Sequence, residues 1–350
     1  MRAGGGAALA LLLAAGPAAA FQRSADPGGL CLWWGTRTVT WALSTKRTPS
    51  GCATFAGARA LVQQAFAQWS HAVKPGEASP CTDFAFVECD ATSSFAVGRD
   101  GQNVVVFRSR SCDDASLVPA GDACHTSGGC ANKYDCWESD PAHGSGTLAL
   151  TWTSYDTATG QILDADIELQ DWNDSTATPG GWYYTCAPAS WSAAATACTG
   201  ALPYGTGCAY IDVGNTLTHE SGHVLGLDHP CVAGAPCVDP NATMAATASV
   251  GEVSKRTLTL DDVNGVCAIY PSGQPTSTCL ARPPASVSPT GSECPHPSSH
   301  SGCGCGGGPG SLGALGPVLW YLARRRRQAM TAPAYPTTLE SSPVTSPLVR

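Results

Sequence analysis

The stretch HESGHVLGLDH, residues 219–229, limits the fold more than any other part of the chain. An α-helix advances about 1.5 Å and turns about 100° per residue, so His219 and His223 share one face about 6 Å apart along the axis. If the helix ran on, His229 would lie about 15 Å along that axis from His219 and about 9 Å from His223. A third histidine can join the first two only if the helix stops between them. Gly226 permits that stop, because glycine enters the left-handed conformation that ends many helices without steric cost. Three residues of extended chain then suffice to bring His229 back. Leu217, Val224 and Leu225 are the candidates to pack this helix into a core.

Three imidazoles brought together in this way suit zinc, which takes histidine nitrogens at about 2.0–2.1 Å and keeps a fourth position open in catalytic sites. Glu220 follows His219 directly, is rotated about 100° from it, and so faces the open position rather than the metal. Zinc lowers the pKa of a bound water from about 15.7 to about 7, and a carboxylate beside that water can take its proton. The expected reaction is water attack on a zinc-polarised peptide carbonyl. Glu220 acts as general base and passes the proton to the leaving amine, while His219, His223 and His229 hold the zinc.

Eighteen cysteines among 350 residues imply an oxidising compartment, where they become cross-links rather than reactive thiols. Sixteen lie between Cys31 and Cys294, an even number that permits full pairing without revealing connectivity. Residues 1–20 combine Arg2, the apolar run AALALLLAAG and PAAA, which reads as a cleaved signal peptide, with an uncleaved anchor as the alternative. The expected localisation is extracellular. A net charge of −8 and the lack of a basic block before residue 324 argue against nucleic acid as a partner.

Along the chain, TRTVTWAL (36–43) alternates as a half-buried strand does, and ARALVQQAFAQWSHAV (58–73) has helical apolar spacing. NVVVF (103–107), GTLALTW (146–152) and ILDADIELQ (162–170) read as strands. The last alternates, with Leu163, Ala165, Ile167 and Leu169 against Asp164, Asp166, Glu168 and Gln170. Between them, Cys112 to Gly146 is a cysteine- and glycine-rich insertion without periodicity. In TLTLDDVNGVCAIYP, Thr259 and Asp262 form a capping-box pattern, Leu260, Val263, Val266, Cys267 and Tyr270 supply an apolar face, and Pro271 ends the helix. Strands first and helices later, without regular alternation, imply an α+β domain over 31–272. Residues 273–302 are a Pro/Ser/Thr-rich linker, 303–327 a sorting or anchor segment, and 328–350 a tail without structure.

The pattern H-E-x-x-H-x-x-G-x-x-H resembles the metzincin signature, and GLDH within it resembles the matrixin branch of zinc proteases. NATMAAT supplies Met244 where metzincins carry a methionine turn; FAQWS, GQILDADIEL and LTLDDVNGVCAIYP resemble further matrixin segments. The resemblance implies zinc ligands His219, His223 and His229, Glu220 as general base and Met244 as the turn. It also implies a disulfide-rich domain with a twisted, mostly parallel five-stranded sheet, an active-site helix and a C-terminal helix. A protein or peptide substrate would add as an extended strand along the sheet edge. Asp261 and Asp262 match a matrixin acidic pair and equally serve as helix caps. Matrixins bind structural zinc and calcium near the insertion, which brings in His125 and His143 and leaves room for calcium at Asp164 or Asp166.

Several features depart from the family. Pro230 replaces the usual serine, no PRCGxPD-like cysteine switch is present, and Cys231 and Cys237 bracket a loop that a local disulfide would stiffen. Cys31 or Asp26 could cap the zinc, or could be a paired cysteine and a solvated loop residue. The run GCGCGGG, an apolar stretch and RRRR resemble the myxobacterial C-terminal sorting tag, implying processing near Cys303 or Cys305 and cell-surface attachment; Pro317 and the tail after Arg327 depart from it. The expected form is a monomeric endopeptidase. The alternatives are another metzincin branch, such as an astacin-like one, and a noncatalytic surface-adhesion module stabilised by zinc.

Overall fold

The computed structural model describes residues 21–49, 51–108, 110–140, 142–143, 147–171, 182–186, 209–231, 239–249, 251–279, 294 and 335–341. The expected signal peptide, most of the linker and the 303–327 segment lie outside these residues. None of the described helices is long and apolar enough to cross a membrane.

Strands β1 (Gln22–Arg23), β2 (Trp33–Trp34) and β3 (Thr38–Leu43) precede helix α1 (Phe55–Ser70), and β4 (Ala85–Glu88) and β5 (Val104–Arg108) follow it. The insertion carries the short helices α2 (Cys124–Ser127) and α3 (Cys130–Tyr134) before β6 (Thr147–Tyr155) and β7 (Gln161–Gln170). Strands β8 (Trp182–Thr185) and β9 (Ala209–Asp212) lead into α4 (Val213–Val224). Then come β10 (Leu227–Asp228), β11 (Thr247–Ala248), α5 (Leu260–Ile269) and β12 (Tyr335–Ser341).

The sheet core runs β4-β3-β5-β7-β6, parallel except for β6, which is antiparallel to β7. The expected α+β domain with a mostly parallel five-stranded sheet is thus present, and the sheet extends further. Strand β2 adds beside β7, β12 lies antiparallel along the outer edge of β6, and β11 pairs parallel with β12. The 328–350 segment was expected to lack structure. Yet YPTTLES has β-favouring residues, and the open edge of β6 offers unpaired backbone groups for it to meet.

Helix α1 starts at Thr54, whose side chain accepts the Gly57 N–H, and buries Ala58, Val62, Ala65, Phe66 and Trp69. It stops short of the expected residue 73, leaving Val73 exposed, and Pro75, which has no N–H for the His71 carbonyl and would clash with it in a helix, opposes further winding. Helices α1, α4 and α5 share one core with the sheet.

The alternation in β7 predicts a solvated polar face, but all ten residues of the strand are buried. The polar face lies under the chain before it in sequence. Asp166 accepts the N–H groups of Gly98 (2.6 Å) and Val104 (2.8 Å), and Asp164 accepts that of Gly101 (2.8 Å). Glu168 meets Arg108 Nε at 3.1 Å and His143 Nε2 at 2.8 Å, while Arg108 also reaches Asp135. Periodicity cannot distinguish a polar face that meets water from one covered by a disulfide-held insertion. Cys112–Cys136 and Cys124–Cys130 hold that insertion.

Cys31–Cys279 and Cys89–Cys294 extend the folded unit past its expected end at 272. Residues 21–30 contribute β1 and the buried Ser24, and Ser277 N–H bonds to Ile269 O at 2.8 Å. Cys52–Cys186 and Cys81–Cys267 complete the described pairs.

Burial alone would raise the Glu168 carboxyl, but the hydrogen bond from His143 and the charge of Arg108 bring it down to about 2 from its ordinary 4.5. A depressed carboxylate stabilises the fold above its unfolded pKa and loses that contribution as pH falls through its folded value. We therefore expect Glu168→Gln to cost about 3 kcal/mol near neutral pH in urea unfolding. The gap to wild type should shrink as pH falls from about 4.5 toward 2; a gap independent of pH would exclude this account.

Candidate active site

All twelve residues of α4 are buried, so the helix is packed on every side. At its start, Asp212 accepts the Asn215 N–H at 2.7 Å and is held by Arg256 through two contacts of 2.6 Å. At its end, the carbonyls that a helix leaves without partners each find one. Val224 O receives Trp34 Nε1 (2.7 Å), Leu225 O receives the Tyr270 hydroxyl (2.9 Å), and Gly226 O receives Ser24 N–H (2.9 Å). Gly226 has φ 85°, the left-handed stop expected from the sequence, and its N–H bonds to His223 O at 2.9 Å. A Cβ there would sit 2.6 Å from Leu32 O, so close approach of β2's leading residue also demands glycine.

The returning segment β10 is fixed by β1, with Gln22 opposite Asp228 and Arg23 opposite Leu227. Ser24 Oγ adds a bond of 2.8 Å to Leu227 O. The outcome is convergence. The Nε2 atoms of His219, His223 and His229 lie 3.1, 3.1 and 3.3 Å from one another. Tetrahedral zinc with bonds of about 2.0–2.1 Å would separate its nitrogens by about 3.3 Å.

The tautomers agree with a metal role. His219 Nδ1 donates to Thr243 O (2.6 Å) and His223 Nδ1 donates to Leu227 O (2.8 Å), so the Nε2 atom of each carries a lone pair. Two lone pairs 3.1 Å apart cannot hydrogen-bond to each other; a cation between them resolves the contact. Burial lowers the pKa of all three, His223 to about 4, which keeps them in the neutral form that ligates metals. Among the described residues, these three are the only His, Cys, Asp or Glu group spaced to hold an ion. The donor set fits zinc. Cys31 is paired with Cys279, and the Asp26 carboxylate accepts Leu30 N–H at 2.7 Å, so neither caps the site.

Glu220 is fully buried, with Oε2 accepting the Thr151 hydroxyl at 2.7 Å and Oε1 without a partner among the described residues. Burial pushes its carboxyl up to about 8, against the opposing effects of Thr151's hydrogen bond and the Lys255 charge. Met244 packs beneath α4 against Gly222, where a Cβ would collide with Met244 Sδ and lie 2.7 Å from Trp69 Cζ2. Asp262 answers the two readings of the acidic pair with both roles. It closes the α5 capping box with Thr259, and it accepts the N–H groups of Thr243 (2.8 Å) and Met244 (3.1 Å). One carboxylate thereby ties the helix cap to the methionine turn and, through Thr243 O, to His219.

Gly222, Thr151, Lys255 and the β1 segment escaped sequence reading. A glycine inside a helix and a threonine in an apolar strand were the available signals. Lys255 donates to Asn215 Oδ1 through its N–H (2.8 Å) and to Ala245 O through Nζ (2.6 Å), bracing the wall beside the site.

The other metal candidates form no second group spaced to hold an ion among the described residues. His125 is exposed, and both His143 nitrogens meet carboxylates, Asp140 and Glu168. Asp164 and Asp166 face the 98–104 loop as described above. Cys231 is disulfide-bonded, while Cys237 lies outside the described residues.

Gly226→Ala should destabilise the domain by about 1–3 kcal/mol and weaken zinc binding, because the strained residue precedes the returning ligand. Equilibrium unfolding and zinc titration of the variant check this; wild-type values in both would refute the geometric requirement. His229→Ala should likewise weaken zinc affinity, and unchanged affinity and stoichiometry would remove His229 from the ligand set.

No curated protein matches this chain. Residues 134–271 match the family model of the matrixins, Peptidase_M10. The match takes in β6, β7, α4, the three histidines, Met244 and α5, and leaves FAQWS in α1 outside it.

Proposed function

We propose that this chain is an exported zinc endopeptidase of matrixin type, with His219, His223 and His229 as zinc ligands and Glu220 as general base. The observation that carries the reading is the convergence of three neutral imidazole nitrogens next to a carboxylate with one unpartnered oxygen. The family match over 134–271 supports the same assignment.

Zinc, when bound, would supply the Lewis acidity that polarises a peptide carbonyl and acidifies water. The chain's own groups do the rest. Carbonyl oxygens of Thr243 and Leu227 fix two of the histidine rings, so the ligand positions are set before any metal arrives. Glu220 Oε1 takes the proton of the attacking water and delivers it to the leaving amine. The buried setting that raises the carboxyl toward neutrality suits a group that must both accept and release a proton. An extended substrate would pair antiparallel with the outer edge of β6 by taking the place of β12, which occupies that edge here.

The features of 1–20 support export, and those of 303–327 support surface retention. Calcium at Asp164 or Asp166 is not needed for this reading: three of their four oxygens accept backbone N–H groups, and Asp164 Oδ1 alone has no partner among the described residues. A noncatalytic, zinc-stabilised module is the second reading. It is disfavoured because no fourth donor joins the three histidines among the described residues, which leaves the site open.

Casein or a peptide library tests the assignment. Wild type should cleave, a chelator should abolish cleavage, and Glu220→Ala should lose about 10²–10⁴-fold in rate while keeping its zinc. Equal cleavage by wild type and Glu220→Ala would sink the catalytic reading.

A further inference from the structure

We propose that Thr151 is a positioning residue that fixes the orientation of the Glu220 carboxylate, so that one of its two oxygens is held free for the water; this deepens the zinc-peptidase reading and rests on it. Alternation along β6 sends neighbouring side chains to opposite faces of the sheet. Trp152 meets Glu168 on the insertion side, and Thr151 meets α4. Thr151 and Glu220 are both completely buried. The Thr151 hydroxyl lies 2.7 Å from Glu220 Oε2 and 3.1 Å from the Glu220 backbone oxygen.

A hydroxyl has one proton to donate, and the shorter contact, to the side-chain oxygen at 2.7 Å, is the stronger of the two. The torsion that turns a glutamate carboxylate is intrinsically broad, so burial alone does not decide the angle at which its plane rests. The hydrogen bond does. With Oε2 tethered to β6, Oε1 is the oxygen without a partner among the described residues, and it is the one left for water. Threonine suits the task because its branched Cβ restricts χ1 and so holds the hydroxyl in place. The tether also joins the general base to the strand whose outer edge accepts an added chain, so base and substrate share one support.

The test compares Thr151→Val, Thr151→Ser and Thr151→Ala in the full chain loaded with zinc, in wild-type and Glu220→Gln backgrounds. Valine keeps the branched shape and removes the hydroxyl. It should lower kcat by about ten- to hundredfold with KM and zinc affinity little changed. Serine should recover most of the loss. In the Glu220→Gln background Thr151→Val should add almost nothing, because the two residues act as a unit. A crystal structure of Thr151→Val should show the Glu220 carboxylate turned from its wild-type orientation. Unchanged kcat, a serine variant as impaired as valine, or an equal loss in both backgrounds would each overturn the proposal. If the valine variant does not fold, alanine and serine carry the same comparison. Full activity of Glu220→Gln alone would instead overturn the underlying peptidase reading.

Discussion

Two imidazole nitrogens whose lone pairs face each other, those of His219 and His223, repel, and the fold holds them 3.1 Å apart, with the His229 nitrogen within 3.3 Å of both, all the same. Much of the neighbouring structure follows from that constraint. Two residues come from one face of α4, and the third must return from beyond its end. The helix therefore stops at a left-handed glycine, and its last carbonyls are met by Trp34, Tyr270 and Ser24, from three separate parts of the chain. Strand β1 then pins the returning β10. Each contact converts an unfavourable arrangement of ligands into one that is preorganised for a cation.

The support beneath the site is a closed chain of polar contacts. Asp262 caps α5, holds the backbone at Thr243 and Met244, and so positions the carbonyl that orients His219. Met244 and Trp69 fill the space that Gly222 leaves open. Buried polar groups of this kind cost stability if any partner is missing. On the opposite face of the sheet, Arg108, Glu168, Asp135 and His143 form a second buried network with all four ionic groups engaged. That network locks the disulfide-held insertion onto β7 and keeps water from the polar side of the strand.

The converging histidines and the helix stop were legible in the sequence because both depend on short-range geometry. Helical rise and rotation relate His219 to His223, and the need for His229 to return makes Gly226 necessary. The α5 capping box was legible for the same reason, as were four of the five core strands; β4, only four residues long, was not. The reading of β7 failed because alternation reports only that two faces differ. It is silent on whether an insertion of about 35 residues folds over one of them. The reach of the domain also exceeded what composition could reveal: Cys31–Cys279 and Cys89–Cys294 join residues 248 and 205 positions apart.

The sequence alone determined the donor set, the helical register of two ligands and the break that frees the third, since these follow from bonds and torsions within eleven residues. Tertiary structure decided which ring nitrogens are free, which oxygen of Glu220 is tethered, and what fills the space under Gly222. Those outcomes rest on Thr243, Leu227, Thr151 and Met244 reaching the site. Except for Leu227, these partners lie well away from the motif in the chain. Only packing brings them to it, because hydrogen-bond distance is a property of the folded molecule and not of spacing along the backbone.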